Sequence, residues 1–181
     1  MNMEGVHCLY GSYKYYAVRM RIHIAADHAG FELREYLIQR LEAAGHCIID
    51  HGYKTYDRMD AYPPVCIDCA QAVADDPGSL GIVIGGSGNG EQMAANLVDG
   101  VRAALVWNAS TAELAREHNN ANIMALGARQ HTIEEAAKFV DIFLAAGYDP
   151  QSRHQSRIEM MTAYENARQK RVCRVLFASN T

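Results

Sequence analysis

Leu80-Gly81-Ile82-Val83-Ile84 runs directly into Gly85-Gly86-Ser87-Gly88-Asn89-Gly90-Glu91 and then into Gln92-Met93-Ala94-Ala95-Asn96. The apolar run reads as a buried strand, the glycines as a turn, and the last segment as a helix. A strand that empties through glycine into a helix turns backbone N–H groups toward a ligand, and the helix start adds partial positive charge. Such a cradle suits an anion. A carboxylate at its end would repel one, so Glu91 points to a base that removes a proton while the donors hold the oxyanion left behind.

Better-known glycine motifs fit less well. A dinucleotide fingerprint needs Gly-x-Gly-x-x-Gly, and here Gly86 and Gly88 fit but Glu91 occupies the third position. A P-loop needs Gly-Lys followed by Ser or Thr, which this turn lacks. A plain glycine-rich connection between strand and helix would share the composition, so the motif alone leaves that reading open.

Working outward, 181 residues suffice for one well-buried domain and are short for two. The balance of 17 Lys and Arg against 21 Asp and Glu gives a formal net charge of −4, which argues against a general nucleic-acid surface. No apolar run is long enough to span a bilayer, and the start lacks the pattern of a secretory signal. Five cysteines without a framework of spacings point to a reducing, cytoplasmic compartment. Cys66-x-x-Cys69 lies in the body of an expected helix, where two cysteines three apart share a face and act as small hydrophobes; a dithiol redox pair is the competing reading.

Residues 1–19 have no clear period and read as a loose or disordered extension. From Met20 onward the pattern is regular. Strands are expected at Arg21 to Ala26, His46 to Asp50, Leu80 to Ile84, Val101 to Val106 and Asn122 to Leu126. Helices are expected from Phe31 to Ala44, from Pro63-Pro64 to Asp76, from Ser110 to Glu117, from Ile133 to Ala145 and from Gln151 to Gln169, with residues 170–181 as a tail without strong period. Strand and helix in alternation predict an α/β fold, a Rossmann-like three-layer αβα sandwich on a five-stranded parallel sheet, with residues 20–169 forming one domain. Ligands of such folds sit beyond the carboxyl ends of the strands. That rule gathers the turn Asp27-His28-Ala29-Gly30, the cradle, and the segment after the fourth strand into one candidate pocket.

Two further elements carry chemistry: Arg116-Glu117-His118-Asn119-Asn120-Ala121 ahead of the fifth strand, and Arg153-His154-Gln155-Ser156-Arg157 near the last helix. With Asp27 to Gly30 and the cradle, these occur in the order found in the ribose-5-phosphate isomerase B family, which the chain resembles from about Met20 to Ala167. That family also contains galactose-6-phosphate isomerase subunits and allose-phosphate isomerases. The resemblance implies an aldose–ketose isomerase that works through a cis-enediolate and requires no redox cofactor or metal. One branch uses a cysteine base just before the cradle, where this chain has Gly85; the other places a glutamate at the cradle's end, where this chain has Glu91.

The resemblance implies roles residue by residue. Glu91 would carry the proton between C2 and C1, its pKa raised by burial and lowered by the helix start. The backbone N–H groups from Ser87 to Gly90 would hold the oxyanion, an effect of roughly 3–4 kcal/mol per good donor, with Gly86, Gly88, Asn89 and Gly90 binding the substrate, and the Ser87 hydroxyl would assist proton movement between O1 and O2. His118 would open the sugar ring as an acid, with Asn119 orienting a hydroxyl; the alternative for His118 is a helix C-terminal histidine that satisfies carbonyls. Asp27 would contact sugar hydroxyls. Arg153 and Arg157, four apart and so on one helical face, would grip the phosphate with Arg129, His28 and His154; a solvated basic surface is the alternative. Tyr62 would either line the sugar pocket or cap the core beside Pro63.

The family's pocket lies between two subunits, so a homodimer is implied, with assembly into tetramers left open, and neither nucleic acid nor membrane is an expected partner. Ribose 5-phosphate with ribulose 5-phosphate is the leading substrate pair. Allose 6-phosphate, galactose 6-phosphate or a tetrulose phosphate are alternatives, and a non-catalytic nucleotide-binding module is the reading from a different class.

Overall fold

The computed structural model describes residues 19–178; most of the expected N-terminal extension, residues 1–18, lies outside them. The elements run β1 (Arg21–Ala26), a 3-10 turn (His28–Gly30), α1 (Phe31–Ala43), β2 (Cys47–Asp50), α2 (Tyr62–Asp75), β3 (Leu80–Gly85), α3 (Asn89–Ala95), β4 (Ala103–Leu105), α4 (Ala109–Asn119), β5 (Ile123–Gly127), α5 (Ile133–Ala145) and α6 (Gln155–Ala178). The five strands form one parallel sheet in the order β2-β1-β3-β5-β4. The α/β sandwich expected from the alternation is therefore the fold.

Strand periodicity builds two cores. Ile22, Ile24, Ile82, Ile84, Met124 and Leu126 face α1, α4 and α5, packing on Leu33, Leu37, Leu41, Ala112 and Val140. Ala25, Val83, Ile123 and Ala125 face α2 and α3, packing on Val65, Cys66, Cys69 and Ala94. Cys66 and Cys69 are fully buried. Burial holds the Cys66 thiol far above its ordinary value and pushes Cys69 up to about 12, so neither supplies a thiolate at neutral pH.

Three elements differ from the expected bounds in ways that bear on the site or on the edge of the sheet. Gly88 takes the left-handed conformation (φ 79°) as the N-cap of α3, so the helix starts at Asn89 rather than Gln92, and Glu91 sits in its first turn. β4 is only three residues long, because it is the sheet edge and pairs on one side alone. α6 starts at Gln155 and continues to Ala178, through most of the expected tail. Arg153 and His154 thus precede α6 in a turn, and the expected single helical face carrying Arg153 and Arg157 does not form.

Burial of imidazoles sets an acid limit to this packing. Desolvation is the main cause lowering the pKa of His46, His51 and His154. A histidine held neutral in the fold takes up a proton near pH 6.5 once unfolded, so stability is lost as pH falls from about 6.5. Glu91, raised by burial, works in the opposite direction, one group against three. The depressed carboxyls of Asp76, Asp99 and Glu135 act only in the more acidic carboxylate range. The thermal midpoint is expected to drop by about 2–5 °C between pH 7.5 and 5.5; a calorimetric midpoint that is flat or rising over that interval would contradict this account.

Candidate active site

The chain order reverses direction across the sheet between β1 and β3, which makes the gap beyond their carboxyl ends the switch point where open α/β sheets take ligands. Both diagnostic turns open there. Asp27 N-caps the turn after β1, its Oδ1 accepting from Ala29 N (2.9 Å) and Gly30 N (3.3 Å). Across the gap, the Ala29 side chain faces Gly86. The segment after β5 joins them: Ala128 N donates to Gly85 O (2.8 Å), Arg129 N donates to Gly86 O (3.2 Å), and the Arg129 guanidinium lies over Gly86.

Glu91 is 4% exposed and folds its carboxylate back over Gly85, where a Cβ would overlap it. A side chain at position 85 and this carboxylate therefore exclude each other. Burial raises the Glu91 pKa; its own N–H and that of Gly88 pull it down, while Asp27 adds to the rise. Burial outweighs the two N–H groups at the helix start. Ser87 Oγ accepts from Asn89 N (3.4 Å) and Asn89 Nδ2 (3.3 Å). Tyr62, the first residue of α2, lays its ring against Gly90, where a Cβ would meet Cζ at 2.6 Å. It packs on the second core as well.

His28 is fixed by a residue the sequence reading missed. Asp60 Oδ1 takes the His28 backbone N–H (2.9 Å) and lies 2.9 Å from its Nδ1, which aims Nε2 away from this pair. Asp60 lies in the long polar loop between Gly52 and Tyr62, and no spacing in the sequence links it to His28. Asp27, His28 and Asp60 are also the group among the described residues whose ligand atoms come within 4.8 Å, close enough for a metal. Their hydrogen bonds to one another and to the turn already account for that proximity.

The remaining candidates lie elsewhere. α4 starts beyond the carboxyl end of β4 and runs back, so His118 and Asn119 at its end reach the amino edge of the sheet. Arg102, just ahead of β4, donates from Nε to Asn119 O (3.0 Å) and Asn120 O (3.1 Å), which ties that turn to the amino edge. His154 stacks on His118 with ring centroids 4.0 Å apart, and Arg157 Nη1 lies 3.3 Å from His154 Nδ1. Burial, and then the neighbouring His118, Arg153 and Arg157, lower the His154 pKa. Asn119 donates from Nδ2 to Leu114 O (3.3 Å). The candidate residues thus fall into two groups: Asp27, His28, Tyr62, Gly86 to Glu91 and Arg129 at one edge, and His118, Asn119, His154 and Arg157, with Arg153 beside them in sequence, at the other. A strand of five residues spans about 17 Å, so one chain does not bring the halves together.

Fold and topology define an open parallel-sheet α/β protein with a glycine-rich turn and a buried carboxylate at its switch point. The model of the ribose/galactose isomerase family matches residues 22–161. Ribose-5-phosphate isomerase B of Mycolicibacterium paratuberculosis is 51% identical over 150 residues, covering 83% of this chain and 94% of that protein. The Escherichia coli enzyme of that name is 38% identical over 148 residues, covering 82% and 98%. The crystal structure of ribose-5-phosphate isomerase B from Mycoplasma genitalium with bound ribulose 5-phosphate matches with a TM-score of 0.78 at 40% identity, covering 81% of this chain and 97% of that one. The chain belongs to the ribose/galactose isomerase family.

Among the described residues no helix is long and apolar enough to cross a membrane.

Proposed function

We propose that this protein interconverts ribose 5-phosphate and ribulose 5-phosphate, with Glu91 as the base. The observation that carries this is the buried Glu91 carboxylate seated on Gly85 beside the glycine cradle. In the opened aldose, Glu91 takes the proton from C2. The electron pair of that bond forms the C1–C2 double bond, and the C1 carbonyl oxygen becomes an oxyanion held by N–H groups between Ser87 and Gly90. The Ser87 hydroxyl passes the proton from O2 to O1. The C2 carbonyl then forms, and Glu91 returns its proton to C1. A base whose pKa is raised toward neutrality serves both halves of this cycle.

The separation of the two groups of candidate residues supports completing each site from a pair of chains. A two-fold axis brings His118 of one copy to the cradle of the other and creates two equal sites. His118 then protonates the ring oxygen on opening, with Asn119 placing a hydroxyl. Arg153, His154 and Arg157 approach the phosphate from the partner, and His28 and Arg129 approach it from the chain that holds the cradle. Asp27 keeps Oδ2 for the sugar. Apolar side chains left exposed on α3, just beyond its end and on α6, namely Met93, Leu97, Met160, Met161 and Tyr164, support such a homodimer. Buried, unpaired Cys66 and Cys69 suit a cytoplasmic compartment.

A coupled assay across tetrose, pentose and hexose phosphates tests the substrate. Ribose 5-phosphate is expected to give a kcat/KM at least about tenfold above the others, since the span from base to phosphate clamp fits one chain length. A hexose phosphate turned over fastest would reassign the substrate and keep the mechanism.

A further inference from the structure

Among the described residues, six buried side-chain polar atoms have no hydrogen-bond partner, and two of them, Ser79 Oγ and Arg116 Nε, belong to residues lining one cavity. A buried polar atom without a partner needs an explanation. The cavity holds about 730 Å³ and opens at the amino edge of the sheet, under the starts of β1 and β3. Ser79 is only 5% exposed. Four arginines line it, Arg19, Arg21, Arg102 and Arg116, against the single carboxylate of Asp99. Asp99 is already held by Arg168 and Gln169, and Arg21 by Asp76.

Arg102 and Arg116 are different. They donate to neutral groups, Arg102 to the carbonyls of Asn119 and Asn120, and Arg116 to Asn120 Oδ1 and Ala121 O. Burial lowers both pKa values, and the charge of Arg102 lowers that of Arg116 further. Glu165 acts on Arg102 at longer range, but neither guanidinium forms an ion pair among the described residues, and two adjacent half-buried guanidinium groups are costly unless an anion joins them. Planar forks and a hydroxyl suit tetrahedral phosphate oxygens. The volume falls within the range of organic ligand pockets and exceeds the needs of a lone inorganic ion.

We infer that this cavity is a second anion site, binding a diphosphate-bearing small molecule between Arg102, Arg116 and Ser79. It is separate from the isomerase site. Neither His118 nor His154 lines it, and His118, two residues beyond Arg116, faces the other side of α4. The same guanidinium groups hold the Asn119–Asn120 turn, so occupancy acts on the segment that carries His118; that consequence rests on the role given to His118 above, whereas binding does not.

Calorimetric titration of the full chain with inorganic pyrophosphate tests the site, in an Arg153→Gln/Arg157→Gln background that removes the isomerase clamp. One pyrophosphate per chain is expected to remain. Adding Arg116→Gln should weaken it at least about tenfold, and Ser79→Ala about threefold. Circular dichroism checks each fold; should Arg116→Gln not fold, Arg102→Gln is expected to show the same loss. Tighter binding of adenosine diphosphate than of pyrophosphate would support the site with a nucleotide as its source, and equal binding would support it with the free anion. No binding at millimolar pyrophosphate in the clamp-deficient protein, or binding untouched by the cavity variants, overturns the inference and leaves the isomerase assignment standing.

Discussion

Glu91→Gln is expected to lower kcat for ribose 5-phosphate by about 10³-fold or more while the sugar phosphate still binds within a few-fold of its original affinity. The amide keeps the shape and burial of the carboxyl group, which packs on Gly85 and is 4% exposed, so the cradle stays in place. What it loses is proton affinity. General acid–base groups contribute about 10²–10⁴-fold, and here one group both removes and returns the proton. Gly85→Ala should reproduce much of the loss by another route, since its methyl group falls where the carboxylate sits. A Gln variant with more than a tenth of the original kcat would remove Glu91 from the chemistry, whatever its effect on KM.

Much of this was legible in the chain because the signals are short-range. Apolar runs bounded by glycine and polar turns gave all five strands, and α5 was read at its true bounds, where Thr132 and Glu135 form a capping box. The cradle was read from glycine spacing, and its position at the switch point follows from strand alternation alone. Boundaries failed where a conformation overrides composition. Gly88 caps α3 through its positive φ, which drew Asn89, Gly90 and Glu91 into the helix. The turn Gln151 to His154 delays α6, so the two arginines flank His154 instead of sharing a helical face.

Long-range placements were out of reach. Asp60 meets His28 across 32 residues of chain through a loop with no period, and only the folded loop brings them together. The direction of the Glu91 pKa depends on how deeply the carboxyl group is buried, which sequence does not give. One long-range placement does follow from the order of elements: a residue at the end of a helix after a parallel strand lies at the amino edge, so His118 belongs opposite Glu91. Grouping the four elements by chemistry concealed that separation, which is the strongest reason to expect two chains per site.

That separation predicts recovery of activity from two dead proteins. Glu91→Gln and His118→Asn homodimers should each retain less than about 1% of activity on the ring form of ribose 5-phosphate, since each lacks one of the two acid–base groups at both sites. In a mixed dimer both substitutions fall in one site, and the other site receives native Glu91 from one chain and native His118 from its partner. Unfolding and refolding an equal mixture makes half the dimers mixed, each with one working site, so about a quarter of the original activity should return. Neither protein refolded alone should recover, and the gain should scale with the fraction of mixed dimers separated by a charge tag. Were Glu91 and His118 to serve the same pocket from one chain, each mixed dimer would hold two crippled sites and the mixture would stay as inactive as its parents. Activity near a quarter is compatible only with a site that draws its base and its ring-opening acid from different copies, the arrangement proposed from their places at opposite ends of the sheet.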